Sequence, residues 1–150
     1  MALEKEINQR KFRNDYQKSA INIIYTYNWI TEKMNMIFDE SGITSQQFNI
    51  LRILRGAAAP LSTLQIRQRM LDKMSDTSRI VDRLVIKGLV KKSVCKTDRR
   101  LVDVIIMEKG RKLLEKIDAY NGQMDSIMMN LTEEEAKTLN ELLDKLRNED

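Results

Sequence analysis

The stretch GLVKKSVCKTDRRLVDVIIM, residues 88–107, constrains the fold more than any other part of the chain. Two apolar runs with strand-like alternation flank an acid and two adjacent arginines. Val102, Val104 and Ile106 fall on one face, so the stretch reads as an antiparallel hairpin with KTDRR at its tip. A tip needs turn residues and solubility, which one Lys or Asn supplies. Two arginines there ask for an anionic partner; a solvated charged turn is the plainer alternative.

The residues leading into the hairpin, SDTSRIVDRLVIKG from Ser75 to Gly88, have helical spacing, with Thr77, Ile80, Val81 and Leu84 on one face and Gly88 as the stop. The opposite face offers Ser75, Ser78, Arg79 and Asp82, with Asp76 and Arg83 beside them. Short hydrogen-bonding residues and a guanidinium near a helix N-terminus suit the reading of base edges in a major groove, and also describe many solvated helix faces. Further upstream, Thr44 to Gln47 forms a capping box before a helix carrying Phe48, Leu51 and Leu54. The segment GAAAPLS, Gly56 to Ser62, breaks that helix, and Ser62 caps another running through Thr63, Leu64, Ile66 and Met70.

Two short helices followed by a hairpin make a winged helix-turn-helix. Its wing tip, Lys96, Thr97, Asp98, Arg99 and Arg100, would then lie one groove away from the recognition helix. There Arg100 or Arg99 can enter a narrow, electronegative minor groove. Asp98 would oppose phosphate unless it accepts hydrogen bonds from an arginine and holds it extended.

Charge distribution agrees with a polyanionic partner. Residues 1–61 carry 8 Lys/Arg and 6 Asp/Glu, residues 62–100 carry 11 and 4, and residues 101–150 carry 7 and 12. The net charges are therefore +2, +7 and −5 around a central basic segment. Asp76 and Asp82 inside that segment weaken indiscriminate attraction and favour selective readout.

With 150 residues, 32% charged, 42% hydrophobic, five Gly and one Pro, the chain is expected to form one mainly helical α+β domain. It has no His and a single cysteine, Cys95, which argues against a metal site, an internal disulfide and triad chemistry. It also lacks phosphate-binding and nucleophile-elbow motifs, so neither an enzyme nor a bound cofactor is expected. No apolar run approaches a membrane span and MALEKEINQRKFRND has no signal-peptide core, so the expected location is cytoplasmic.

The ends of the chain read as helices. Phe12, Tyr16, Ser19 (a small residue in the stripe), Ile23, Tyr27, Ile30, Met34 and Ile37 recur three and four apart over about eight turns, up to a stop at Gly42. So long a stripe points to packing on a second copy, with an internal core stripe as the alternative. Leu113, Ile117, Tyr120, Met124, Ile127 and Leu131 continue the same spacing. A capping box at Thr132 to Glu135 then opens a last helix with Ala136, Leu139, Leu142, Leu143 and Leu146.

The residues SRIVDRLVIKGLVKKSVCKTDRRLVDVIIMEKGRKLL and GITSQQFNILRIL resemble the multiple-antibiotic-resistance regulator (MarR) family of bacterial winged-helix transcription factors. The likeness runs almost end to end and is most specific in the wing. It implies a DNA-binding lobe at about 44–109 and dimerisation helices at 1–41 and 110–150. By resemblance Asp98 and Arg100 take the positions of the wing-tip acid and minor-groove arginine, and Ser75 to Arg79 the base-reading end of the recognition helix. The implied function is a homodimeric repressor on a near-palindromic double-stranded operator, with half-sites about 10 bp apart. Relatives bind small aromatic effectors in a cleft between the dimer helices and the winged lobe, which makes Tyr25, Tyr27, Trp29 and Phe48 candidate ligand contacts. Two departures stand out: Leu101 replaces a small polar residue, and Met107 replaces the Thr that caps the next helix. The rival readings are a winged helix that binds protein and a redox-responsive regulator acting through Cys95.

Overall fold

The computed structural model describes residues 2–94, 96–100 and 102–148. A single turn, α1 (Leu3–Glu6), folds back along α2 (Asp15–Glu40), held by the Lys18–Glu4 ion pair and the Tyr25 hydroxyl, which donates to Glu6 at 2.9 Å. Leu3 is buried beneath it. The long helix starts later than its periodicity predicts. Phe12 lies ahead of Asn14, whose side chain accepts the Gln17 amide and so satisfies one of the unpaired N–H groups at the helix start.

Helix α3 (Ser45–Gly56) begins at the expected capping box, in which Thr44 and Gln47 exchange two 3.1 Å hydrogen bonds. It lies at the centre of the winged lobe, packed by α2, by β3 (Val102–Ile106) and by helices α4 (Thr63–Arg69), α5 (Thr77–Ile86) and α6 (Glu108–Asp118). Neighbours on several sides bury Ile50 and Ile53 as well as Leu51 and Leu54, which broadens the apolar face expected from the sequence. Arg55 reaches Asp118 through two parallel hydrogen bonds of 2.7 and 3.1 Å and ties α3 to the end of α6.

The hairpin forms as expected: β2 (Val90–Val94) pairs antiparallel with β3, from Val90 opposite Ile106 to Val94 opposite Val102. A third strand, β1 (Leu61–Ser62), adds to the far edge of β3, giving the order β1-β3-β2. Ser62 closes that strand and caps α4 in a box with Gln65, so one residue performs two local tasks.

Two glycines set the frame of the hairpin. Gly88 has φ +72°, the left-handed conformation that ends α5 and turns the chain into β2. Gly110 sits where α6 crosses the hairpin base: a Cβ there would lie 2.5 Å from the Leu89 carbonyl oxygen and 2.9 Å from Ile106 Cγ1. Met107, as its side chain dictates, gives α6 no side-chain cap.

The C-terminal arm departs from a continuous apolar stripe. Helix α6 ends at Asp118, a short α7 (Asn121–Ser126) follows, and turns lead to α8 (Glu133–Arg147), which begins at the expected Thr132 box. At the break Tyr120 sits at φ −93°, ψ 4°, and its N–H bonds to the Ile117 carbonyl three residues back. Asn121 and Gly122, two poor helix formers, open α7 and weaken it, so it runs only six residues.

The core lies within the winged lobe and extends to α6, which packs against it. Ile50, Leu51, Ile66, Val81, Leu84, Val104, Leu114 and Ile117 are essentially inaccessible, each worth roughly 1.5–3 kcal/mol when buried. Among the described residues α2 buries only Ile37 and Phe38, and α8 buries none.

Candidate nucleic-acid interface

Helix α5 presents a smaller reading face than the span Ser75 to Arg79 implied by the resemblance. Thr77 heads the stripe continued by Val81 and Leu84, so it is buried at 3% exposure and its hydroxyl finds no partner among the described residues; it is not displayed to a ligand. Asp76 turns its carboxylate onto the helix end and accepts the Arg79 N–H at 3.2 Å, which makes it a cap and not an outward group. Ser75 is half-buried, its hydroxyl donated to the Asp72 carbonyl at 2.8 Å. Ser78, Arg79, Asp82 and Arg83 are exposed. Among the described residues no hydrogen bond or ion pair engages the side chains of Ser78, Arg79 or Arg83.

Asp82 is bound to the wing. It accepts Lys92 of β2 in an ion pair, which offsets the acid's charge on the exposed face of α5 and couples that helix to the hairpin. Such an exposed pair contributes little to stability, about 0.2–1 kcal/mol, and its consequence here is geometric. At the other end of α5 the Lys87 ammonium donates to the Gly42 carbonyl at 2.6 Å, and the Lys109 ammonium to the Lys87 carbonyl at 2.9 Å. These cations satisfy carbonyls just past the C-termini of α2 and α5 and anchor the exit of α5.

At the wing tip Lys96, Thr97, Arg99 and Arg100 are exposed and Asp98 is half-buried. The Arg100 guanidinium donates from Nε to Asp98 Oδ1 and from Nη2 to Oδ2, both at 3.1 Å, while the Arg100 backbone N–H donates to Oδ1 at 3.0 Å. These bonds hold the Asp98 carboxyl below its ordinary range, the side-chain contact contributing most, and raise the Arg100 guanidinium further. The arginine side chain nevertheless stays 89% exposed, so it is oriented without being hidden. Of the two arginines the sequence left open, Arg100 is the one braced. Cys95 and Leu101 lie outside the described residues, and with them the redox reading and one of the two departures from the family pattern.

The four aromatic residues do not converge. Tyr25 and Trp29 line a groove of about 270 Å³ with Leu3, Glu6 and Thr26, and the hydrogen bond to Glu6 pushes the Tyr25 hydroxyl up from its ordinary pKa. Tyr27 is 66% exposed. Phe48 lies apart from them, stacked on Phe38 with ring centroids 4.6 Å apart. Residue type had grouped them; the turn of α2 and the packing of α3 separate them. Sequence reasoning also missed Lys87 and Lys92, whose periodicity marks only exposed positions and whose partners lie 45 and 10 residues away. Among the described residues no helix is long and apolar enough to cross a membrane.

Residues 41–101 match the model of the MarR family, a span that holds α3 through the wing tip. The HTH-type transcriptional regulator MhqR of Bacillus subtilis (strain 168) is 30% identical over 131 residues, covering 86% of this chain and 89% of that protein. The multiple antibiotic resistance protein MarR of Escherichia coli (strain K12) is 30% identical over 115 residues, 75% of this chain and 79% of its own length. A mutant of the E. coli MarR, solved in complex with operator DNA, superposes with a TM-score of 0.83 at 24% identity, covering 93% of this chain and all of that one.

Proposed function

This chain belongs to the MarR family of transcriptional regulators with a winged helix-turn-helix fold, and from that premise we propose that it is a sequence-specific double-stranded DNA-binding repressor acting as a homodimer on a near-palindromic operator. The observation that carries the reading is the Asp98–Arg100 brace: an exposed guanidinium held by its neighbour at the tip of a wing that is itself paired to the recognition helix through Lys92 and Asp82. A bare cation would serve solubility equally well. An oriented one is suited to a groove of fixed width and potential.

On this reading Arg79 and Ser78 read base edges in the major groove while Arg83 meets the backbone. The lobe at about 44–109 contacts DNA, and the helices at 1–41 and 110–150 hold the two copies together. Support for the dimer is the apolar surface those helices leave uncovered: Ile24 is 61% exposed, Tyr27 66%, Met129 68% and Leu146 66%. A soluble chain seldom presents that much without a partner. Two-fold pairing would set recognition helices about 34 Å apart. A small aromatic effector, if one operates, would use the groove beside Tyr25 and Trp29, and the chain would act in the cytoplasm.

Selection of bound duplexes from a random pool tests the proposal. A near-palindromic consensus with half-sites about one helical turn apart supports it; recovery of no preferred sequence at any salt concentration contradicts it.

A further inference from the structure

The connection between α4 and α5 carries two large apolar side chains that the fold leaves unused. Met74 is 91% exposed, the most of any large apolar residue among those described, and Leu71 is 83% exposed. They are not on a loose loop. Asp72, between them, accepts the Met74 N–H at 2.9 Å through its side chain and the Ser75 hydroxyl at 2.8 Å through its carbonyl. Gln46 of α3 donates to the other Asp72 carboxylate oxygen at 3.3 Å, and Met70, just before the pair, is buried at 2% exposure. The turn is thus tied to the core at one end and to α3 in its middle, while the two side chains are held outward.

Their surroundings are cationic. Arg67 and Arg69 precede the pair, Lys73 separates it and Arg79 follows it, all exposed, whereas the acids Asp72 and Asp76 are engaged in the turn and the helix cap. An apolar partner protein would have to cover four cations to reach Leu71 and Met74. A nucleic acid meets the cations with phosphate and presents one apolar group in its major groove, the C5-methyl of thymine.

We propose that Leu71 and Met74 form an apolar lip, beside the recognition helix, that reads thymine methyl groups in the operator. The inference rests on the DNA-binding reading above and adds to it a preference for thymine at one or two positions of each half-site, one that Arg79 and Ser78 do not supply. Met suits the task because its thioether is flexible and polarisable enough to settle on a methyl group without a preformed pocket.

The test uses the full-length protein and the duplex it selects from a random pool, with each thymine replaced singly by deoxyuridine, which keeps base pairing and removes only the methyl. At one or two thymines of each half-site the replacement is expected to weaken binding about fourfold, the effect of one methyl group removed from an apolar contact. That penalty is expected to vanish in Met74→Ala or Leu71→Ala, both of which fold because the positions are exposed. If every thymine tolerates the change, or if the penalties persist undiminished in both variants while a consensus is still selected, the lip does not read methyls. If no consensus is selected at all, the DNA-binding reading falls and this inference falls with it.

Discussion

Asp98 and Arg100 are joined by a two-pronged hydrogen bond, 3.1 Å on each prong, although both sit at the tip of the wing and the arginine is almost wholly exposed. An isolated pair at a surface contributes little to stability. Its consequence is directional, because the carboxylate fixes where the guanidinium points before any partner arrives.

This arrangement makes an unusual prediction about charge. Replacing Asp98 with Asn removes a negative group from a basic tip, which simple electrostatics says should tighten DNA binding. The brace predicts the reverse, a loss of several-fold on the selected operator, and the loss should disappear when Arg100→Ala is already present. A double-mutant cycle measures the coupling; independent effects would place orientation elsewhere.

The brace also has a defined pH range. Because Arg100 depresses the folded-state pKa of Asp98 below its ordinary value of 3.8, the interaction is complete above that value and fades only as pH falls through the lower folded one. Operator binding by the wing should therefore be flat from pH 8 to about pH 5. A titration of affinity that breaks near pH 6 in the wild type and not in Asp98→Asn would contradict this.

Arg79→Ala is predicted to relax sequence preference more than it reduces affinity for random duplex, because the side chain is exposed on α5 with no partner among the described residues. Loss of a base contact costs about 1–3 kcal/mol of discrimination. Competition binding with specific and scrambled duplexes reads the ratio directly, and an equal loss on both would make Arg79 a phosphate contact.

Gly110→Ala is predicted to destabilise the fold by about 1–3 kcal/mol, the typical cost of overpacking. The added Cβ would meet the Leu89 backbone oxygen at 2.5 Å, an atom that can yield only if the base of the hairpin shifts. Denaturant unfolding measures the loss, and an unchanged midpoint would mean that α6 stands further from the hairpin than described.

Ile24→Glu tests the assembly. In an isolated chain the substitution lies on an exposed helix surface and should change stability by less than about 0.5 kcal/mol. In a dimer that buries this face it should split the complex, lowering the mass seen by sedimentation and abolishing high-affinity binding to a two-half-site operator. An unaltered mass would exclude this face as the interface.

The parts of this protein that were legible in sequence are those decided locally. The boxes at Thr44 and Thr132 and the cap at Ser62 each involve groups three residues apart, and each forms as expected, with Gln65 completing the Ser62 cap as a box. The hairpin was legible because alternation and a charged turn occupy adjacent residues. Strand β1 was not: two residues carry no period, and its partner β3 lies some forty residues further on. The break at Tyr120 was hidden because apolar spacing runs through it undisturbed, from Ile117 to Met124, even though Asn121 and Gly122 weaken the helix between them. At the candidate interface helical spacing places Thr77 on the apolar face with Val81 and Leu84, where it is buried, whereas the family resemblance counts it within the base-reading span; Arg79 and Arg100 are exposed, as a role at a surface requires. The four aromatic residues disperse for a related reason: nothing in the identity of Tyr27 or Phe48 says which way a helix turns it.

The most direct test of the central claim is the salt dependence of binding to the selected duplex, compared between the wild type and Arg100→Ala. A wing-tip arginine inserted among phosphates predicts weaker binding by the variant at every salt concentration and a log–log slope shallower by about one. Superimposable lines for the two proteins would contradict the account, because the braced guanidinium would then make no contact with DNA.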